Sequence, residues 1–336
     1  MTKMKRLLLF VIGMVLAVSA LAQTPANYYN AANGLTGDQL KVALHNIIKG
    51  HTSISYSQIW NAFWSTDNKG NGVVWDMYSD RPNGTPPYTY ALGQDQCGSY
   101  NSEGDCYNRE HSWPQSWFNE QTTPRTDMHH IFATDGFVNN KRGNYPFGEV
   151  QSASWTSQNG SKLGSSKTPG YSGTVFEPID AYKGDFARAI MYMSVRYYGE
   201  DSSWGSSDMT SKSVIKPWAI ALLLRWNKQD PVSQKEIDRN NAIYNDYQHN
   251  RNPFVDHPEY ADMIWDPSWT LEENQEQAHA DGMVVYDLTG RKLFQSNITN
   301  EEEAIASMKS KLKQGCYMLL LLDGNRVVTR RKLLVN

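Results

Sequence analysis

Glu110 and His111 stand side by side in "NREHSWPQSWF", residues 108–118, just ahead of a rigid run of two Trp, a Pro and a Phe. A carboxylate can hold a hard cation and an imidazole can take a proton, but neighbours on a regular strand point to opposite faces. Such a pair serves one centre only if the strand ends or bulges there. A second stretch, "RTDMHHIFATDGFVNNKRGNYPFGE" (125–149), gathers Arg125, Asp127, His129, His130, Asn139, Asn140, Lys141, Arg142 and Asn144 within twenty positions. These residue types suit hydrolysis of a phosphodiester. A neutral imidazole serves as the base that activates water. A divalent cation on oxygen ligands, a carboxylate such as Glu110 and an amide carbonyl such as that of Asn139, offsets the charge of the phosphorane and the departing 3′ oxygen. Two protein ligands leave positions for water and phosphate, as magnesium prefers.

The elements that must position these groups are short. Thr134 is expected to cap a helix from about Asp135 to Lys141, with Gly143 as its stop and Phe137 and Val138 holding it to the core. The order is a strand carrying Glu-His, a connection carrying His-His, and a helix carrying Asn. Around it, Thr36–Gln39 reads as a capping box before Leu40, Leu44, Ile47 and Ile48, and "NGVVWDMYSD" (71–80) as a strand. Asp185 is expected to cap a helix that stops at Gly199, "VIKPWAIALLLRWN" (214–227) to contain a buried helix, and Ser233–Glu236 to open another. The body is α+β, mostly helical.

The N-terminus is a leader rather than part of the fold. Lys3, Lys5 and Arg6 precede an apolar run ending in Ala20-Leu21-Ala22, the pattern of a secretory signal peptide over 1–22. No later segment is long and apolar enough to span a bilayer. Export permits disulfides, and Cys97 and Cys106 bracket a short Gly/Ser/Asn-rich loop before Glu110. Cys316 is left over and reads as a small buried hydrophobe. Without the leader's three cations the 32 basic residues fall to 29 against 35 acidic, a net of −6. A broad basic footprint for nucleic acid is therefore absent, and an anionic substrate must be met by a local cluster or a bound cation. The composition changes after Trp265: 266–279 reads as an acidic, Gln-rich linker, and 280–336 as a small all-β module of hairpins with a Thr-Gly and an Asp-Gly turn.

"REHSWPQSWF" followed by "DMHHIFATDGFVNNKRGN" resembles the bacterial endonuclease I family, part of the ββα-metal (His-Me finger) superfamily. "GDFARAIMYMSVRYY" and "RNPFVDHPEYADMIW" extend the resemblance over a nuclease domain placed at 23–265. It implies His111 as general base, and Glu110 and Asn139 as ligands of Mg2+, with Mn2+ or Ca2+ as substitutes. It implies a structural His129, His130 where better-known members have an Asn that positions the base, and an Arg on the phosphate, for which Arg125 is the candidate. Arg142 is expected to brace the helix and Asn144 the turn beyond it. The function implied is a non-specific endonuclease on DNA, with RNA as an alternative substrate, leaving 5′-phosphate ends and acting as a monomer. "YDLTGR" and "LKQGCYMLLLLDGNRVVTRRKLLV" resemble the sorting domain of proteins exported through the periplasm by the type IX secretion machinery, which implies a secreted or cell-surface location.

Two other readings compete. A zinc hydrolase would use His111, His129 and His130, although adjacent histidines rarely share one ion. A non-enzymatic adhesin or glycan binder would use the 11 Trp and 19 Tyr.

Overall fold

The computed structural model describes residues 24–266, 281–287, 292–298, 301–323 and 326–335. The leader and the linker expected at 266–279 therefore lie outside the described residues, apart from Asp266, as do the Thr-Gly turn and the side chain of Cys316. The chain divides into two units after Trp265.

In the first unit the helix Lys183–Arg196 is buried along its whole length. Phe186, Ile190 and Met193 share a core with Leu40, Leu44 and Ile48 of the helix Gly37–Ile48, and with Leu222 and Trp226 of the helix Pro217–Gln229. The helix Lys183–Arg196 fills the centre although it carries charges, because Arg188 is paired there with Glu236 and Asp185. It begins two residues before Asp185, which sits in its first turn rather than capping it. Gly199 follows at φ 75°. The Ser233–Glu236 capping box forms, but Thr36 makes no side-chain cap.

The strand Tyr107–His111 pairs antiparallel with Ile131–Asp135 in unbroken register, Glu110 opposite Phe132 and His111 opposite Ile131. One side of this pair packs Tyr107, Ile131 and Ala133 against Ile59 and Phe63 of the helix Ile59–Thr66. On the other, Phe132 lies 5.7 Å from the ring of Phe186. Burial on both faces explains the apolar run at 131–133. The helix Gly136–Arg142 follows at once. Its cap is Asp135, whose side chain accepts from Val138 N, and not Thr134. Gly143 closes it at φ 52°.

The strands depart from expectation in two ways. Within 71–80 only Val73–Val74 is strand, because Asp76 folds its carboxylate onto the backbone N–H of Tyr78 and turns the chain. A three-stranded antiparallel sheet, Val150–Thr156, Lys162–Ser166 and Thr174–Glu177, was not foreseen. Its polar, Ser-rich strands carry little of the apolar alternation that marks a strand.

The second unit is a four-stranded antiparallel sheet in the order Lys292–Asn297, Gly282–Tyr286, Gly315–Asp323, Arg326–Val335. It is not all-β: Glu301–Lys309 is a helix. Ala304, Ile305 and Met308 recur at helical spacing and reach the cluster of Met283, Val285, Leu319 and Leu321.

Candidate active site

The strand carrying Glu110 and His111 ends at His111 without a bulge, and the two side chains diverge. Glu110 is 1% exposed. Its Oε1 accepts from Tyr78 Oη at 3.0 Å and from Arg142 Nη1 at 3.1 Å, whereas Oε2 accepts nothing among the described residues. Burial outweighs Arg142 and Tyr78 and pushes this carboxyl up to about 7. A buried carboxylate with one oxygen free and a raised pKa is a fitting ligand for a cation that would hold it ionised.

His111 is also buried. Its Nε2 lies 3.0 Å from the carbonyl of Arg125. A carbonyl only accepts, so Nε2 carries the proton and Nδ1 is left as the acceptor. The Gln115 amide approaches Nδ1 at 3.5 Å. Burial first, then the neighbouring His130, Arg109 and Arg125, hold the imidazole down to about 3. It is therefore neutral, with Nδ1 unprotonated, at any ordinary pH.

Asn139, in the last turn of Gly136–Arg142, donates Nδ2 to the carbonyl of Arg109 at 3.3 Å. That bond turns the amide against the residue preceding Glu110 and leaves Oδ1 without a partner among the described residues. The strand pair and the helix thus supply one carboxylate oxygen and one amide oxygen, donors a hard, partly hydrated cation prefers, together with one imidazole nitrogen able to accept a proton.

Arg142 does more than brace its helix. It is 1% exposed and crosses to the strand end, where Nη1 meets the carbonyl of His111 at 2.8 Å as well as Glu110, and Nη2 meets the carbonyl of Ser112 at 2.6 Å. One guanidinium therefore fixes the end of the strand, at the Glu-His pair and at the residue just beyond it.

His129 is buried against the ring of Tyr192, centroids 4.6 Å apart, with Nε2 3.1 Å from the carbonyl of Asn250. His130 lies 5.4 Å from the His111 ring but makes no hydrogen bond to it. Its Nε2 lies 2.7 Å from the carbonyl of Pro124. His130 and His111 thus hold consecutive carbonyls of one turn. Asp127 ties that turn down, accepting from His129 N, Gln248, Tyr192 and Tyr197. The three imidazoles reach three separate carbonyls, and no group of three or more His, Cys, Asp or Glu that could hold a metal occurs among the described residues. The trio required for zinc does not assemble.

Arg125 ends a short helix, Thr122–Arg125, with its guanidinium carbon 4.3 Å from the centroid of the Tyr56 ring. Asn144 is exposed and makes no side-chain hydrogen bond among the described residues, so the turn it was expected to brace is held by others. Trp113, Trp117 and Phe118 are buried scaffold. Cys97 and Cys106 are joined in a disulfide, their Cα atoms 5.7 Å apart. Tyr78, Gln115 and the carbonyl of Arg125 have no signal in the sequence, because only the folded chain brings them to Glu110 and His111.

Comparison with known proteins gives two family matches and two relatives. Residues 36–259 match the model described as endonuclease I, and residues 270–336 that of a secretion system C-terminal sorting domain. An extracellular ribonuclease of Bacillus amyloliquefaciens is 43% identical over 249 residues, covering 71% of this chain and 78% of the relative. An extracellular ribonuclease of Bacillus subtilis (strain 168) is 41% identical over 266 residues, covering 75% and 84%.

Proposed function

The chain belongs to the endonuclease I family, as a secreted nuclease that hydrolyses phosphodiester bonds, and from that premise we propose a mechanism with one divalent cation and a histidine base. The pair of strands and the following helix act as a ββα-metal site. Glu110, through Oε2, and Asn139, through Oδ1, hold the cation, which is Mg2+, with Mn2+ or Ca2+ able to occupy the same oxygens. The observation that carries this reading is the hydrogen bond from His111 to the Arg125 carbonyl. It leaves Nδ1 as the acceptor, met only by the long contact from the Gln115 amide, one residue away from a buried carboxylate with an unpartnered oxygen.

His111 Nδ1 takes a proton from the attacking water as its oxygen bonds to phosphorus. The bond from phosphorus to the 3′ oxygen breaks, and the 3′ oxygen leaves with a proton from solvent. The phosphate therefore stays on the 5′ side. Held by Glu110 and Asn139, magnesium would supply positive charge to the phosphate and to the departing oxygen. Arg125 faces the phosphate, and the phosphate's negative charge offsets the arginine charges that, after burial and the neighbouring His130, hold the His111 imidazole down. Arg142 and Tyr78 keep Glu110 aimed. His130 and His129 hold the 124–130 turn, and with it the carbonyl that orients the base.

The substrate is DNA, and also RNA, as the names of both relatives suggest. The tail serves type IX secretion, with passage through the periplasm and release or display at the cell surface. The nuclease works as a monomer. Degradation of plasmid DNA and of RNA with magnesium, with EDTA, and with zinc added after EDTA tests the chemistry. Cleavage with magnesium alone, giving ends that ligate without kinase treatment, is the expected result. Full activity in EDTA, or restoration by zinc but not by magnesium, overturns it.

A further inference from the structure

Arg109, between Asn108 and Glu110, points away from the proposed cation ligands. Its guanidinium carbon lies 3.7 Å from the centroid of Tyr56 and 4.2 Å from that of Trp60, and Nη1 donates to the carbonyl of Tyr56 at 2.9 Å. Arg125 shares the same tyrosine ring at 4.3 Å, and the His111 ring is stacked on it at 6.1 Å. A guanidinium on an aromatic face is ordinary packing. What is unusual here is the charge balance. Neither arginine has a carboxylate partner among the described residues, although the buried Arg142, Arg188, Arg239 and Arg251 all do. The Nε of each is buried without a hydrogen bond. Burial and the nearby Arg125 both press against the Arg109 cation. Two uncompensated cations are therefore held together by one tyrosine at the base's side of the site, in a protein whose net charge is negative.

We infer that Arg109, oriented by Tyr56, forms a second phosphate subsite beside Arg125 and grips a phosphate flanking the scissile one along the nucleic-acid strand. The inference rests on the proposed reaction at His111 and adds Arg109 and Tyr56 to it. Planar guanidinium forks match phosphate oxygens, and each fork is pre-oriented here by ring stacking, so little entropy is lost when the anion arrives. His111 hydrogen-bonds the backbone of Arg125 itself, so successive phosphates seated on Arg125 and Arg109 also fix the register of the strand relative to the base. The class of substrate this selects is a chain of successive phosphodiesters rather than an isolated one. It also meets the need for local positive charge that the acidic composition creates.

The test uses the full mature chain and a single-stranded oligonucleotide with magnesium. For Arg109→Gln, KM should rise at least about fivefold with kcat within about twofold, the mark of lost ground-state binding. In a His111→Ala background, the slope of log affinity against log salt should flatten by about 0.7 on removal of that charge. Tyr56→Leu, which keeps the backbone carbonyl that Arg109 uses, should raise KM in the same way and decides the matter should Arg109→Gln fail to fold. An unchanged KM and salt slope in the folded variants overturns the subsite, and so does a fall in kcat without a rise in KM. Failure of the wild-type chain to cut the oligonucleotide with magnesium would instead strike the proposed function itself.

Discussion

Glu110 is the residue whose environment makes the sharpest demand. A carboxyl held up to about 7 by burial binds its proton more tightly folded than unfolded. Between about pH 4.5 and 7 the cation-free protein therefore keeps a proton that the unfolded chain has released, and its stability falls as pH rises through that window. A cation reverses the balance by favouring the ionised form. Magnesium should accordingly raise the thermal midpoint more at pH 8 than at pH 5, and below pH 7 its half-saturating concentration should climb about tenfold per pH unit. Calorimetry in EDTA and in magnesium at the two pH values checks this, and equal shifts would remove Glu110 from the ligand shell. The His111 imidazole, held far below its usual range, contributes no acid limb in that window.

Among the elements, the strand ending at the Glu-His pair and the helix carrying Asn139 are legible in the sequence, whereas Ile131–Asp135, expected within a connection, is a second strand whose apolar run has no alternation to mark it. The Glu-His pair, the Asn after it and the closing Gly143 stand out by residue type, because candidate ligands and helix stops are local signals, and Gly143 does close the helix. Asp135 displaced Thr134 as the cap because its carboxylate also gathers Tyr90 and Gly104 N, tertiary partners no local pattern reveals. The polar sheet at 150–177 and the helix at 301–309 were missed for related reasons, since short strands without alternation and a helix between hairpins look like connections. Tyr78 and the reach of Arg142 to the strand depend on long-range folding alone. The Cys97–Cys106 loop has a task at this scale: Cys97 N bonds the Tyr107 carbonyl and Gly136 N bonds the Cys106 carbonyl, so the loop clamps the start of one strand to the start of the helix. Reducing the bridge should lower stability by about 2–3 kcal/mol. Unfolding in denaturant with and without reductant measures it, and coincident curves would show that the loop holds without its bond.

At the scale of the whole molecule, the division after Trp265 separates every proposed site residue from the tail. The endonuclease I match ends at 259 and the sorting-domain match begins at 270. A chain ending at Asp266 should fold and cut nucleic acid with the kcat and KM of the full mature protein, yet remain in the cell of a type IX-secreting host. The tail from Ala280 onward carries nine basic and six acidic residues, net +3, and could instead grip the phosphate backbone. A flatter salt dependence of binding in the truncated chain would favour that second role and contradict a tail devoted to export.

Titration of cleavage against magnesium in the wild type, Glu110→Gln, Asn139→Ala and His111→Ala tests the central claim most directly, because it separates holding the cation from moving the proton. The account predicts that Glu110→Gln and Asn139→Ala each raise the half-saturating magnesium about tenfold or more. It also predicts that His111→Ala leaves half-saturation nearly unchanged while lowering the maximal rate by at least about 10²-fold. Unaltered half-saturation in both ligand variants, or wild-type turnover by folded His111→Ala, would contradict it.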